Sequence, residues 1–373
     1  MNTVVVPEYL LIIASSARML AHAAKRAKIK PLVIDLFADL DTISYAEDFY
    51  QVPSLTVDCL VPVVDDFIKR YAIEYLVYGS GFEYYPDSLH YLSRRLSILG
   101  NTPETFLRVQ NKQVFFTALD QLSIFYPAVC FAEPVPVGHW LVKPLSGQGG
   151  VGIAYYTEQA FSQSGVYWQE YQPGCASSVL FLANGKRAHV VGFNTQWTTA
   201  LNEAQAFIFS GIVNYAELSD TQKHLITTWV QQLVLFFGLK GLNSLDFIQA
   251  DDKLYVLEIN PRPSASMQLY DSDLLVAHIK ASQSEYCDFS VNQHGFTGYQ
   301  VVYAPHDVLI PEDFVWPDDC MDLPKFGVTC RTGQPICSII AHQQQAHSIR
   351  EVLMTKQLNL LKGLTSYGIS SER

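Results

Sequence analysis

Residues Leu141–Tyr156 read LVKPLSGQGGVGIAYY, and the glycines in this stretch decide how the chain is to be read. Gly147-Gln148-Gly149-Gly150-Val151-Gly152 satisfies G-x-G-x-x-G. In a dinucleotide site that pattern ends a strand and opens a helix, whose N-terminus faces the pyrophosphate. Here Ile153-Ala154-Tyr155-Tyr156 follow, and their β-branched and aromatic side chains suit a strand. No Gly-Lys-Ser/Thr follows, which excludes a Walker A loop. The stretch is therefore expected to be a hairpin between antiparallel strands. Its glycines let backbone N–H groups come close to phosphate oxygens, and Lys143 at the end of the entering strand adds a cation. By itself it reads equally as a phosphate-covering flap or as a glycine-rich surface hairpin beside an ordinary lysine.

A second stretch weighs on that choice. In LDFIQADDKLYVLEINPR, Asp251-Asp252-Lys253 reads as a three-residue turn that pairs Ala250 with Leu254 and sets Asp246 opposite Glu258, with Asn260 on the same face. Directly opposed carboxylates have Cβ atoms about 5 Å apart and repel. A divalent cation between them removes that cost, and oxygen-only ligation suits Mg²⁺ or Mn²⁺ with substrate phosphates completing the shell. Leu245, Phe247, Leu257 and Ile259 are expected on the opposite, packed face. A solvated polar face, or a carboxylate paired with a distant lysine, is the bland alternative.

Around these two hairpins the chain has the length of two or three domains, at 373 residues. Lys and Arg number 25 against 36 Asp and Glu, a net charge of −11, which makes nucleic acid and anionic membranes poor partners. No apolar run reaches membrane-spanning length. The seven cysteines (Cys59, Cys130, Cys175, Cys287, Cys320, Cys330, Cys337) form no C-x-x-C. They read as free thiols in a cytoplasmic protein, in preference to a metal cluster at Cys320, Cys330 and Cys337. The opening YLLIIA reads as a first strand, without the basic start of a signal peptide.

Strand and helix alternate up to about residue 100: YLLIIA, a helix capped by Ser15 or Ser16, PLVIDLF, a helix VDCLVPVVDDFIKRY and a strand IEYLVYGS. This βαβ pattern implies a parallel sheet, with sites beyond the carboxyl ends of its strands. Two loops fall there, Ser15–Arg18 and Gly79–Glu83. Thr102-Pro103 opens a further helix that breaks near Asn111. Strands HWLVKP, VGIAYY and VYWQEY follow, then a hairpin turning at Asn184-Gly185 and a helix near 219–237. The last 80 or so residues read as short strands, turns and one helix.

Taken together, Lys112 in QNKQVFF, Lys143 in VKP, the flap SGQGGVG, WQEYQPG and LDF…LEINPR resemble the ATP-grasp superfamily, in an order that covers about residues 100–290. The resemblance implies an α/β chain: an N-terminal parallel βαβ domain over 1–100, a two-part grasp module with antiparallel sheets over 101–172 and 173–292, and a small C-terminal region over 293–373. It implies that Lys112 and Lys143 contact ATP phosphates, covered by Ser146, Gly147, Gly149 and Gly150. Gln169, Glu170 and Tyr171 would form the link where backbone groups read adenine. Asp246, Glu258 and Asn260 would hold Mg²⁺ (or Mn²⁺), and Arg262 would stabilise the transferring phosphoryl group. The residue for ribose stays unassigned, because Cys175-Ala176-Ser177-Ser178 stands where an acidic residue is expected. Ser16, Arg18, Ser80 and Glu83 are the candidates for a substrate anion or amine. The implied reaction is that of a carboxylate–amine ligase: ATP activates a small-molecule carboxylate as an acyl phosphate, which an amine attacks. A carboxylase, a small-molecule kinase and a non-catalytic ATP-binding module share the scaffold. The resemblance also implies a homodimer, and an association with cofactor biosynthesis.

Overall fold

The computed structural model describes residues 4–132, 138–157, 164–270, 273–285 and 295–370. Cys287, read from the sequence as one of the free thiols, lies outside them.

The first hundred residues fold as the alternation of apolar runs and amphipathic stretches requires. Strands β1 (Tyr9–Ile13), β2 (Lys30–Asp35), β3 (Asp48–Gln51), β4 (Tyr75–Tyr78) and β5 (Ser97–Ile98) form a sheet in the order β3-β2-β1-β4-β5. All its pairings are parallel. Helix α1 (Arg18–Arg26) lies on one face, and α3 (Val57–Tyr71) and α4 (Pro86–Ser93) pack on the other. The short α2 (Leu40–Tyr45) follows β2. The strand order reverses between β1 and β4, and the two loops expected to matter lie at that switch point.

The start of α1 differs from the sequence reading. Neither Ser15 nor Ser16 caps it; Ala17 holds the cap position. The buried Asp35 at the end of β2 supplies the acceptor: Oδ2 takes the Ala17 N–H (3.4 Å), and Oδ1 takes those of Phe37 (3.1 Å) and Ala38 (2.9 Å). A carboxylate brought in by the neighbouring strand satisfies the helix end that a local serine was expected to satisfy.

Thr102 caps α5 (Pro103–Gln110) and Asn111 caps α6 (Lys112–Gln121), so the helix breaks where the sequence indicated. Strands β6 (Val129–Cys130), β7 (Trp140–Pro144), β8 (Ala154–Tyr155) and β9 (Val166–Glu170) make a four-stranded antiparallel sheet, β6-β9-β7-β8. The glycine stretch joins β7 to β8 as a hairpin, with Leu141 opposite Tyr155. The large sheet starts with β10 (Cys175–Asn184), β11 (Ala188–Thr199) and β12 (Ile208–Val213). After α7 (Asp220–Phe237), capped by Ser219 and Gln222, it continues in β13 (Lys240–Ala250) and β14 (Lys253–Asn260).

The C-terminal segment, expected as a small region of its own, extends this same sheet. After α8 (Leu274–Ser282), β15 (Phe296–Tyr303) pairs with β12, β19 (Pro335–Gln343) with β15, and β17 (Cys320–Met321) with β19. The result is eight strands in the order β14-β13-β10-β11-β12-β15-β19-β17. The two-residue β16 (Val308–Leu309) and β18 (Thr329–Cys330) pair with each other, and α9 (Ala346–Ser370) covers the C-terminal strands.

Buried apolar side chains from β1, α1, β10, β13 and α8 form one cluster, which welds the parallel sheet to the large sheet. A polar seam runs beside it. Asn101 Nδ2 donates to Asn243 Oδ1 (2.7 Å) and to the Pro261 carbonyl (2.9 Å), and Asn101 Oδ1 accepts the Lys240 N–H (2.8 Å). His278 accepts the Leu242 N–H at Nδ1 (2.8 Å) and faces the Leu99 carbonyl with Nε2 (2.9 Å), which leaves the ring neutral with its proton on Nε2. Burial pushes its pKa down to about 4. The folded value lies below the unfolded one, so the unfolded chain takes up a proton first. Stability is therefore lost as pH falls from about 6.5 through 4, by ~3 kcal/mol from this residue. Comparing unfolding free energies across that range for the native chain and His278→Gln is expected to show a shallower slope in the variant; equal slopes would contradict the assignment.

Candidate active site

The hairpin of β13 and β14 brings Asp246 directly opposite Glu258, as the sequence suggested, but by a different route. Asp251-Asp252 form a two-residue turn, with Ala250 paired to Lys253 and Gln249 to Leu254. That register alone would place Asp246 opposite Leu257. A bulge between Val256 and Glu258 takes up the extra residue and restores the carboxylate pair. The cost falls on Leu257: the buried core position belongs to Val256, and Leu257 lines the cavity instead.

Around this pair the polar atoms converge. Lys112 Nζ lies 3.0 Å from Glu258 Oε2. Asn260 Nδ2 donates to Asp246 Oδ2 (3.1 Å), and Gln196 Nε2 to Asp246 Oδ1 (3.2 Å). Burial opposes ionisation of both carboxyls, and the two acids then diverge. Glu258 is pulled below the usual carboxylate range by Lys112, Lys143 and Arg262. Asp246 is pushed well above it by burial and by the Glu258 charge. Burial works against the Lys112 charge as well, but the Glu258 carboxylate raises its pKa. Two carboxylates thus share one face with one directly bonded cation.

That face opens into a cavity of about 790 Å³ that reaches from the flap to the switch-point loops. Lys143 enters it from β7, with Nζ 2.9 Å from Gln169 Oε1 on the adjacent strand. Gln169 is almost wholly buried. Among the described residues its Nε2, and the hydroxyl of the neighbouring Tyr167, have no hydrogen-bond partner. Glu170 and Tyr171 also line the cavity, but their amides are already bonded to the Ala128 (2.8 Å) and His139 (2.7 Å) carbonyls. Ser177 and Ser178 reach the wall where the sequence left ribose unassigned.

The flap is folded down. The Phe209 N–H donates to the Gly149 carbonyl (2.9 Å), and Gly150, at φ +79°, sits so close that a Cβ there would be 1.9 Å from the Phe207 carbonyl oxygen. Gln148, Gly149 and Gly150 line the cavity; Ser146 and Gly147, expected beside them, are not among the described residues that do so. Arg262 is buried. Its Nε is 2.7 Å from Glu83 Oε1, and one terminal nitrogen donates to Gln148 Oε1 of the flap (3.4 Å).

Two of the expected substrate contacts are otherwise employed. Glu83 caps its own turn through the Gly81 N–H (2.8 Å) with one oxygen and holds Arg262 with the other, so it anchors the arginine and is not free to receive an amine. Arg18 does reach the cavity, but its Nε is 2.8 Å from Asp322 Oδ1 and a terminal nitrogen 2.6 Å from Gln268 Oε1, so it is no open anion receptor. Ser16 and Ser80 line the same wing, and Ser16 donates to Asp322 (3.4 Å).

The sequence reading missed Gln196, Gln148, Asp322 and the landing strip at 207–209. Gln196 had a signal, since Asn194, Gln196 and Thr198 alternate as a polar face along β11. Asp322 had none, standing 304 residues from Arg18. No group of three or more His, Cys, Asp or Glu suited to a metal ion occurs among the described residues, Cys320, Cys330 and Cys337 included. Those three thiols are free and buried in the C-terminal apolar cluster. No helix among the described residues is long and apolar enough to cross a membrane.

Residues 109–266 match the ATP-grasp domain family. The carbamoyl phosphate synthase large chain of Clostridium perfringens (strain SM101 / Type A) is 25% identical over 204 residues, covering 47% of this chain and 18% of that protein. The corresponding protein of Clostridium beijerinckii (strain ATCC 51743 / NCIMB 8052) is 24% identical over 199 residues, 45% and 18% of the two chains. The match therefore spans less than a fifth of these curated relatives. Among solved structures, the biotin carboxylase domain dimer of Hydrogenobacter thermophilus 2-oxoglutarate carboxylase, in complex with MgADP, ADP and bicarbonate, has a TM-score of 0.70 at 13% identity, covering 90% of this chain and 86% of that one. The N5-carboxyaminoimidazole synthetase of Staphylococcus aureus, complexed with ADP, also has a TM-score of 0.70, at 14% identity over 95% of this chain and 100% of that one. At such identities the likeness is one of fold. The match to the ATP-grasp domain family is thus carried by residues 109–266, and the solved structures add a shared fold around it.

Proposed function

We propose that the chain is an ATP-dependent ligase that activates a small-molecule carboxylate as an acyl phosphate and joins it to an amine. The observation that carries this reading is the half-buried Asp246–Glu258 pair, with Asn260 beside it, facing a cavity covered by the glycine flap. Opposed, half-buried carboxylates with one directly bonded lysine are short of positive charge, which fits a divalent cation brought in with phosphates. Gln169 Nε2, a buried donor without a partner, fits an acceptor on the nucleotide.

In this reading Asp246, Glu258 and Asn260 would hold Mg²⁺, which would neutralise charge on the nucleotide phosphates. Lys143, and Lys112 behind Glu258, stabilise the same charge from the protein side, and the flap amides cover it. The γ-phosphoryl group passes to a carboxylate oxygen of the substrate with ADP as leaving group, and Arg262, held by Glu83, is the cation for that transfer. The amine nitrogen then forms a C–N bond as the C–O bond to phosphate breaks. Phosphate leaves with the electron pair, and the amine's proton goes to solvent. A seated flap keeps water from the acyl phosphate.

A second reading is supported by the two structural relatives, a biotin carboxylase domain and a carboxyaminoimidazole synthetase. The same face and flap would serve phosphorylation of bicarbonate, giving a carboxylase. ADP release measured with paired carboxylates and amines, and separately with bicarbonate, separates the two: amide formation without bicarbonate supports the ligase, and an absolute bicarbonate requirement replaces it. The biotin carboxylase relative is a dimer, and a homodimer is proposed here too.

Two substitutions test the site. Glu258→Gln is expected to lower Mg²⁺-dependent ADP formation by about a hundredfold or more while circular dichroism stays native; turnover at the native rate would refute the carboxylate's role. Gly150→Ala strains a positive φ and strikes the Phe207 carbonyl, so the flap no longer seats. Turnover is expected to fall about tenfold or more, with little change in melting temperature because the hairpin is peripheral. Wild-type turnover in this variant would show that closure is not required.

A further inference from the structure

Beyond the carboxylate face, the cavity continues into a second wing, walled by the loops after β1 and β4, by the segment 264–268, and by Tyr299, Tyr303 and Asp322 of the C-terminal segment. Among the described residues of that wing, the charged ones are Arg18 and Asp322, and they bind each other at 2.8 Å. Asp322 also accepts from the hydroxyls of Ser16 (3.4 Å) and Tyr299 (3.3 Å). On the guanidinium, the Nε is spent on Asp322, one terminal nitrogen on Gln268, and the other faces the Met321 thioether at 3.3 Å. An oxyanion binds arginine best through a pair of parallel N–H groups, and here two of the three nitrogens already have oxygen partners.

The surrounding charge points the same way. Asp41 takes the backbone N–H groups of Asp322 (2.9 Å) and Leu323 (3.0 Å), and its carboxylate lies 3.9 Å from the Arg18 Nε. One guanidinium therefore faces two carboxylates. Asp39 and Asp35 stand close behind. Burial, and then the charges of Asp322, Asp35 and Asp41, push Asp39 up to about 7. Asp322 and Asp41 together outweigh the one guanidinium that reaches the wing.

We infer that Asp322 masks Arg18 and so acts as a specificity-determining residue: the wing admits an amine that carries no phosphate and turns phosphorylated molecules away. The word amine rests on the ligase reading above; the masking does not. A phosphate entering the wing would meet a neutralised cation with two carboxylates beside it. An ammonium group entering the same wing finds excess negative charge and a lining of hydroxyls that can accept its protons.

The test uses the full chain with its nucleotide part filled by Mg-ADP, titrated with inorganic phosphate at constant ionic strength and followed by melting temperature. The native chain is expected to show no saturable shift. Asp322→Asn, which keeps the side chain's size and most of its hydrogen bonds, is expected to acquire one. Its apparent phosphate affinity should be at least about tenfold higher, and the shift should vanish again in the double variant Arg18→Gln, Asp322→Asn. A saturable shift in the native chain that Arg18→Gln abolishes would overturn the mask. So would an Asp322→Asn protein of native circular dichroism that remains blind to phosphate. If that variant does not fold, the native chain and Arg18→Gln decide the matter alone. In turnover, the native chain is given a panel of small carboxylates, and ethanolamine is compared with O-phosphoethanolamine and serine with O-phosphoserine as the added amine. Stimulation of ADP release only by unphosphorylated members supports the inference; stimulation by a phosphorylated member, or by no amine, overturns the substrate class. Failure of Mg-ADP to stabilise the chain would sink the nucleotide reading instead, and the phosphate titration of the unliganded chain would still judge the mask.

Discussion

Two carboxylates are held against each other at the wall of a cavity, and much of the site is arranged around that conflict. Asp246 and Glu258 project from adjacent antiparallel strands at one register position, so neither can move away without breaking the ladder. Each charge costs more the less solvent it has, and each raises the cost of the other. Lys112 meets Glu258 directly, while Asp246 receives amide hydrogens from Asn260 and Gln196. The pair remains short of positive charge. Such an unresolved conflict has structural meaning only if something arrives to resolve it, and the cavity, the lysines and the seated flap all lie on the side from which it would come.

The parts that complete this cavity come from the whole length of the chain. The parallel sheet supplies two loops at its switch point, where the strand order reverses and leaves a crevice. One of them carries Glu83, which fixes Arg262 from behind. The C-terminal strands extend the large sheet and bring Tyr299 and Asp322 to the far wing. The N-terminal sheet and the C-terminal strands meet through Arg18, Asp322 and Asp41, so the charge of the far wing is set by contacts between segments some 300 residues apart.

Several elements were legible because their signals are local. The break at Asn111, the hairpin after Pro144 and the N-terminal alternation of strand and helix follow from caps, glycines and periodicity within a few residues. The carboxylate pairing shows the limit of such reading. A three-residue turn and an unbroken ladder predict the same partner as a two-residue turn followed by a bulge. The right pair was thus reached through a wrong register, and the error surfaced at Leu257, which left the core for the cavity wall. A bulge has no strong sequence mark here, because Val256 and Leu257 are equally apolar. The cap of α1 failed for a related reason: the serines were near in sequence, but Asp35 was nearer in space.

Sequence alone determined the succession of a parallel βαβ unit and antiparallel grasp hairpins, and it placed lysines, glycines, carboxylates and arginine in one recognisable order. Those features depend on backbone preferences and side-chain alternation, which act over a handful of residues. Tertiary structure decided which of the charges remain available. Arg18 and Glu83 looked equally free on paper, yet each is engaged by a residue far along the chain, Arg18 by Asp322 and Glu83 by Arg262. Electrostatic pairing depends on distance in space and on burial, and neither quantity exists until the sheets have packed.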